Sequence, residues 1–261
     1  MFFRGNNLKV VIILLTVFTF VSKAEHYRFV AEDLPPYHFI DSHGQVQGAF
    51  VDIVKAVANQ AKIKYSIELY PFARALKLFE TKSNVLMFSL LKSPSREKQF
   101  IWLGKVFHNT AYLVSVKGTK PPLLNLEQAK RYTVGTIRGY FSETYLRSAG
   151  FQEGSNLSLS VKYQSLWRML FNDRIDFVLT NTISLNQELN TLGYRTDDIE
   201  RRLVLDDFPS ELHLAGNLSI DPSSALALQK ALVTIKDNGE YLKILNDWGL
   251  SELKKEEALA Y

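Results

Sequence analysis

Cysteine is absent from all 261 residues, so no disulfide staples the fold and burial alone must stabilise it. The same absence removes the cysteine that would carry a lipid anchor near the N-terminus. No long basic tract is present, which gives nucleic acid no electrostatic footprint to bind. Tandem repeats and low-complexity segments are missing, which excludes solenoids and propellers. There is no nucleophile elbow, no P-loop and no zincin motif. The five histidines, His26, His38, His43, His108 and His213, show no metal-ligand spacing, and neither a metal nor another cofactor is expected. His38 and His43 flank a turn and are expected at the surface. Ser95 and Lys98 match a Ser-x-x-Lys pair, but neither Ser-Asp-Asn nor Lys-Thr-Gly follows, and the pair alone defines no acyl-transfer site.

What is present begins with an export signal. Arg4 and Lys9 precede the apolar run Val10–Leu15, and Ser22-Lys23-Ala24 supplies small residues for cleavage after Ala24. The run is short of the ~20 residues that a membrane-spanning helix needs. The formal net charge is +4, but removing the three basic residues of the signal leaves 28 basic against 27 acidic. A secreted protein of near-neutral charge is expected, with enough length for one large core or two small ones.

Strands and helices alternate along the rest. Tyr27–Ala31 reads as a strand that runs into Glu32-Asp33-Leu34-Pro35-Pro36-Tyr37, where the prolines end regular structure. Gly48 precedes a helix over 49–61 with Phe50, Val54, Val57, Ala58 and Ala61 on one face. A strand over 63–69, a helix over 72–81 and a strand over 85–91 complete a βαβαβ unit. A second unit follows, with strands over 112–116, 132–136, 157–161 and 177–180 and helices over 126–130, 142–149 and 165–172. Helices are expected over 223–238, carrying Leu226, Ala227, Lys230, Ala231 and Ile235, and over 241–248, with Leu242, Leu245 and Trp248 on one face. Residues 252–257 read as a frayed helix. The pattern predicts an α/β protein of two lobes, each a mainly parallel sheet flanked by helices. Ligands of such sheets bind where loops leave the carboxyl ends of strands, which points to Lys92-Ser93-Pro94-Ser95-Arg96 after the 85–91 strand. Arg96 has the planar donor fork that suits a carboxylate or phosphate.

The ordered series Pro35-Pro36-Tyr37, Gly44, Gly48 and Asp52, Ser93 to Lys98, Val134 to Gly139, Asp173 to Val178, Asn238-Gly239-Glu240-Tyr241 and Asp247-Trp248-Gly249 resembles the family 3 extracellular solute-binding proteins, the periplasmic receptors of polar amino acid ABC importers. The resemblance spans nearly the whole mature chain and points to a divergent branch of the family. It implies a type II binding-protein fold with two hinge crossings, near 107–112 and 207–213. Lobe one would then hold residues 25–110 and 208–261, and lobe two 111–207. The expected protein is a monomeric receptor that closes around a small carboxylate-bearing solute and delivers it to an ABC permease. By the family pattern Arg96 would grip the carboxylate, Ser93 would add a hydrogen bond, and Tyr37 and Phe72 would stack on the ligand. Two positions depart from that pattern. Asn181 stands where amino acid receptors usually place the acid for the α-ammonium, and Gly139 is followed by Tyr140 and Phe141 in place of serine or threonine. Tyr140 and Asn181 would therefore face the ligand from lobe two, and the solute is expected to be an amino acid or a related organic acid. Arg74 reads as structural, bridging to Glu32 or Asp33. Two further roles use the same cleft: sensing, with a membrane signalling protein as partner, and a cyclohexadienyl dehydratase-like elimination with Glu32 or Asp33 as the acid.

Overall fold

A computed structural model describes residues 26–181 and 185–250; the expected export signal and the 252–257 helix lie outside them. The apolar runs build two five-stranded sheets. The first contains β1 (His26–Ala31), β4 (Lys64–Leu69), β5 (Val85–Leu91), β6 (Phe100–His108) and β12 (Glu211–Asn217), in the order β4-β1-β5-β12-β6. β1 is parallel to β4 and β5, whereas β12 is antiparallel to both β5 and β6, so four of the five strands run one way. The second sheet contains β7 (Ala111–Val116), β8 (Val134–Ile137), β9 (Leu157–Ser160), β10 (Phe177–Asn181) and β11 (Ile199–Val204), in the order β11-β7-β10-β8-β9. There β7 alone runs against the rest. The reversed strand in each sheet is the one that enters from the other lobe. A small hairpin of β2 (Phe39–Ile40) and β3 (Val46–Gln47) sits beside the first sheet.

Alternation along each strand divides its side chains between two helical layers. Phe29, Leu86 and Phe88 face α1 (Ala49–Gln60), α7 (Pro222–Asp237) and α8 (Glu240–Asp247), while Val30, Val85 and Met87 face α2 (Phe72–Thr81). In the second sheet Leu113, Phe177 and Leu179 face α3 (Leu126–Ala129) and α4 (Phe141–Ser148). Tyr112, Val114 and Val178 face α5 (Tyr163–Phe171) and α6 (Leu185–Asn190). Export without disulfides is thus matched by burial on both faces of both sheets.

Helix starts follow local chemistry. Asp221 accepts the Ser224 backbone N–H at 2.8 Å and Pro222 opens α7, an N-cap followed by a proline whose missing N–H costs nothing there. Pro71 stands at the start of α2, which leaves Phe72 as its first residue. The buried face of the last helix differs from expectation. α7 buries Ala225, Leu228, Ala231, Leu232 and Ile235 and leaves Leu226 exposed, and α8 buries Tyr241 and Leu245 with Leu242 exposed. Both helices carry leucine on two faces, so periodicity alone could not choose the inward one. His38 is also a correction: it is 1% exposed, packed against Phe50 and Phe88, with its Nδ1 against the Glu32 carbonyl at 2.6 Å. His43 is exposed as expected.

Gly48 fixes the approach of α1 to the loop after β1. Its φ is +130° and an added β-carbon would lie 2.3 Å from the Tyr37 carbonyl oxygen, which accepts the Phe50 N–H at 2.9 Å. Gly48→Ala is therefore expected to lower stability by more than about 2 kcal/mol. Urea denaturation checks it; an unchanged midpoint would mean that the loop yields without cost.

Candidate functional site: the cleft between the lobes

The carboxyl ends of the parallel strands in both sheets face one cleft. β1 delivers Glu32, β5 delivers Ser93 and Arg96, β8 delivers Tyr140 and β9 leads to Tyr163. The chain crosses between sheets at 109–110 and 205–210, and the two crossings are tied together by the Asn109 N–H donating to the Ser210 carbonyl at 2.7 Å. A pocket of about 80 Å³ lies against these crossings. Its lobe-one wall includes Tyr37, Phe72, Ser89 and Arg96, its lobe-two wall Tyr140, Ser142, Tyr163 and Thr180, and Asn109 and Phe208 close the crossing side.

Arg96 is half-buried, and burial holds its pKa below the usual arginine value. Nη1 reaches the Leu91 carbonyl at 3.4 Å and the guanidinium carbon lies 5.8 Å from the centre of the Phe72 ring. Among the described residues it has no carboxylate within ion-pair distance. A half-buried cation with spare donors facing a pocket is a place for an anion. Ser93 is 1% exposed, its hydroxyl 3.0 Å from that of Ser95, and it does not line the pocket. Ser95 thus spends its hydroxyl on Ser93.

Tyr37 lines the pocket from within the core: its ring stacks on Phe50 with centroids 4.5 Å apart, and its hydroxyl donates to Asn109 Oδ1 at 3.4 Å. Phe72 and Tyr140 meet across the cleft with centroids 5.2 Å apart, and the Tyr140 hydroxyl donates to Glu32 Oε2. Tyr163 stands behind Tyr140 at 5.9 Å. Glu188 of α6, whose Oε2 accepts from the Trp167 indole at 2.6 Å, adds a second carboxylate near these phenols. Burial, then the charges of Glu32 and Glu188, push both tyrosine pKa values well above the usual range. Asn181 ends β10, but its side chain lies outside the described residues. Arg74 is exposed and rests on the Tyr70 ring at 4.5 Å, so it does not bridge to Glu32 or Asp33.

Several pocket residues escape a reading of the sequence. Asn109, Ser142 and Tyr163 carry no motif, and neither does Glu188 behind the phenols, on a helix α6 that was not foreseen. Ser89 is different, because it sits in β5 at φ +65°, where a non-glycine residue costs ~1–2 kcal/mol, and pairing with β12 shifts register beside it. Backbone strain of this kind concentrates at binding sites.

The pattern that defines the bacterial extracellular solute-binding proteins, family 3, matches residues 29–251. The chain belongs to that family. Two relatives of this solute-binding protein are the ABC transporter arginine-binding protein 1 of Escherichia coli K12 and the arginine-binding periplasmic protein of Mannheimia haemolytica. The first is 26% identical over 90% of this chain and 96% of its own length, the second 24% over 87% and 92%. Similar solved folds include a histidine kinase sensor domain with similarity to periplasmic binding proteins (TM-score 0.74, 17% identity, 85% of this chain and 94% of that one). Another is an ancestral arginine-binding protein bound to arginine (TM-score 0.72, 20% identity, 85% and 97%). The fold is thus the two-lobed type II architecture of periplasmic binding proteins.

Glu32 gives this solute-binding protein a testable pH signature. Burial raises its carboxyl pKa to about 7, so between 4.5 and 7 the folded state holds more protons than the unfolded one and stability falls as pH rises. His38 acts in the opposite sense. Burial lowers its pKa to about 4, so between 4 and 6.5 the unfolded state binds more protons and stability rises with pH. Each effect is on the order of 3 kcal/mol, so wild type should show a shallow profile in this window. Glu32→Gln should unmask a rise in stability from pH 4.5 to 6.5, read by denaturant unfolding at each pH. A profile that stays parallel to wild type would contradict the assignment.

Proposed function

We propose that this protein is an export-processed receptor that closes on a small carboxylate-bearing solute, an amino acid or a close analogue, and hands it to an ABC permease. The single observation that carries this reading is Arg96: a half-buried guanidinium in the loop after β5, facing a pocket between two lobes and forming no ion pair among the described residues. The opposite side of the pocket supports an amino acid in particular. There Glu32, with Glu188 behind the phenols, offers a carboxyl beside the rings of Phe72, Tyr140 and Tyr163, and a cation brought next to it would favour its charged form. An aromatic wall with acids behind it favours a cationic or donor-rich end. Such a ligand carries its carboxylate to Arg96 and its positive end to Glu32, the arrangement a zwitterion with a basic side chain satisfies. The arginine-binding names of the relatives agree with that chemistry.

In this reading lobe one comprises residues 25–110 and 208–261, lobe two comprises 111–207, and cleavage follows Ala24. The protein works as a monomer. Tyr37, Phe72, Tyr140 and Asn181 complete the binding wall, and Ser93 acts by holding the Arg96 loop. A ligand that touches both lobes favours the closed state by its differential contacts there. A second reading rests on Glu32, since a carboxyl with pKa raised to about 7 inside a cleft is what acid-catalysed elimination requires. Turnover of prephenate by the purified protein would support that reading, and absence of turnover would remove it.

The test is a thermal-shift panel of amino acids and organic acids, L-arginine included, followed by calorimetry on the best binder. A ligand of the native state raises the melting temperature by mass action. Arg96→Ala should then weaken binding about ten- to a hundred-fold, a charge-assisted hydrogen bond of ~1.5–3 kcal/mol. An unchanged dissociation constant would reject Arg96 as the anchor.

A further inference from the structure

The space between the lobes has two compartments, and the receptor role proposed above uses only the inner one. Beyond it lies an outer cleft of about 1350 Å³. Both compartments are lined by Glu32, Leu34, Phe72, Tyr140 and Tyr163, so these residues form the wall between them. That wall crosses the gap by two side-chain contacts, the Tyr140 hydroxyl on Glu32 and the Tyr140 ring on Phe72. Tyr140 follows Gly139, whose φ is +82°, and precedes α4; no strand pairing holds it.

The outer walls differ in character. Lobe one contributes Pro35, Leu69, Pro71 and Leu76, with the acids Asp33 and Glu80 among them. Lobe two contributes Arg138, Lys162 and Arg168, with Glu188 as its one acid. Arg138 is paired with Glu153, whereas Lys162 and Arg168 form no ion pair among the described residues. Both are exposed, so their positive charge is available to a molecule lying in the cleft. Apolar surface on one side and two uncommitted cations on the other suit a chain that ends in an anion.

We infer that the outer cleft is a second subsite, and that the receptor takes an elongated ligand with two carboxylates, one on Arg96 and the other between Lys162 and Arg168. The chain between them passes Tyr140 in place of its contact with Glu32. A dipeptide extends ~3.3–3.6 Å further than a single amino acid, in the direction of the outer cleft. This inference rests on the receptor reading and on arginine as the inner head group.

The test compares L-arginine with the dipeptides Gln-Arg and Glu-Arg by calorimetry at low salt, on wild type and on a Lys162→Ala, Arg168→Ala double variant. The two dipeptides differ by one carboxylate and little in shape. Glu-Arg is expected to bind about five- to ten-fold more tightly than Gln-Arg, and the double variant is expected to lose that preference. Equal affinities in wild type, or a preference that survives in the double variant, would overturn the second subsite. Binding of L-arginine without either dipeptide would overturn it too, while leaving the receptor reading intact. No binding of any of the three removes arginine as the head group and this inference with it.

Discussion

Arg96 is held half out of water in the loop after β5 with no ion pair among the described residues, and the arrangement of the cleft is organised around that one charge. An arginine in water would lose nothing by being alone. Here burial already disfavours its charged form, so an anionic ligand restores a partner that the fold withholds. Glu80 contributes a favourable charge at Arg96 without pairing with it, and Glu32, the acid of the pocket wall, accepts from Tyr140 and is itself pushed toward its neutral form. The guanidinium and the acid of the pocket thus stay separate, with the rings of Phe72 and Tyr140 in the same wall.

The fold maintains that separation through its connectivity. Because one strand in each sheet arrives from the other lobe and runs against its neighbours, all other strands can point their carboxyl ends at the same cleft. The crossings are tied by backbone hydrogen bonds, including Asn109 to Ser210, and Asn109 also receives the Tyr37 hydroxyl. The floor of the pocket is therefore made of the same residues that link the lobes. A solute bound there touches the element about which any closure must turn, which ties binding to conformation in physical terms.

Much of this was legible in the sequence, for reasons that differ by element. α2 and β5 have the bounds that periodicity and the flanking Pro71 assign to them. Arg96 was legible because it follows a buried strand within a polar loop. β6, β11 and β12 were not, because they carry bulges, Gly104 and mixed charge that blur the period of two. Tyr37 was expected to stack on a ligand, and the structure shows it 2% exposed and stacked on Phe50, since a loop aromatic next to two prolines folds back into the core. Glu188 and Asn109 were invisible, because neither lies in a motif and only the tertiary fold brings them to the cleft.

The most direct measurement of the central claim is a crystal structure of the protein with an amino acid bound. The account predicts the ligand between the lobes, with its carboxylate in bidentate contact with Arg96 and its positive end toward Glu32. A ligand bound elsewhere, or one that turns its carboxylate away from Arg96, would contradict it.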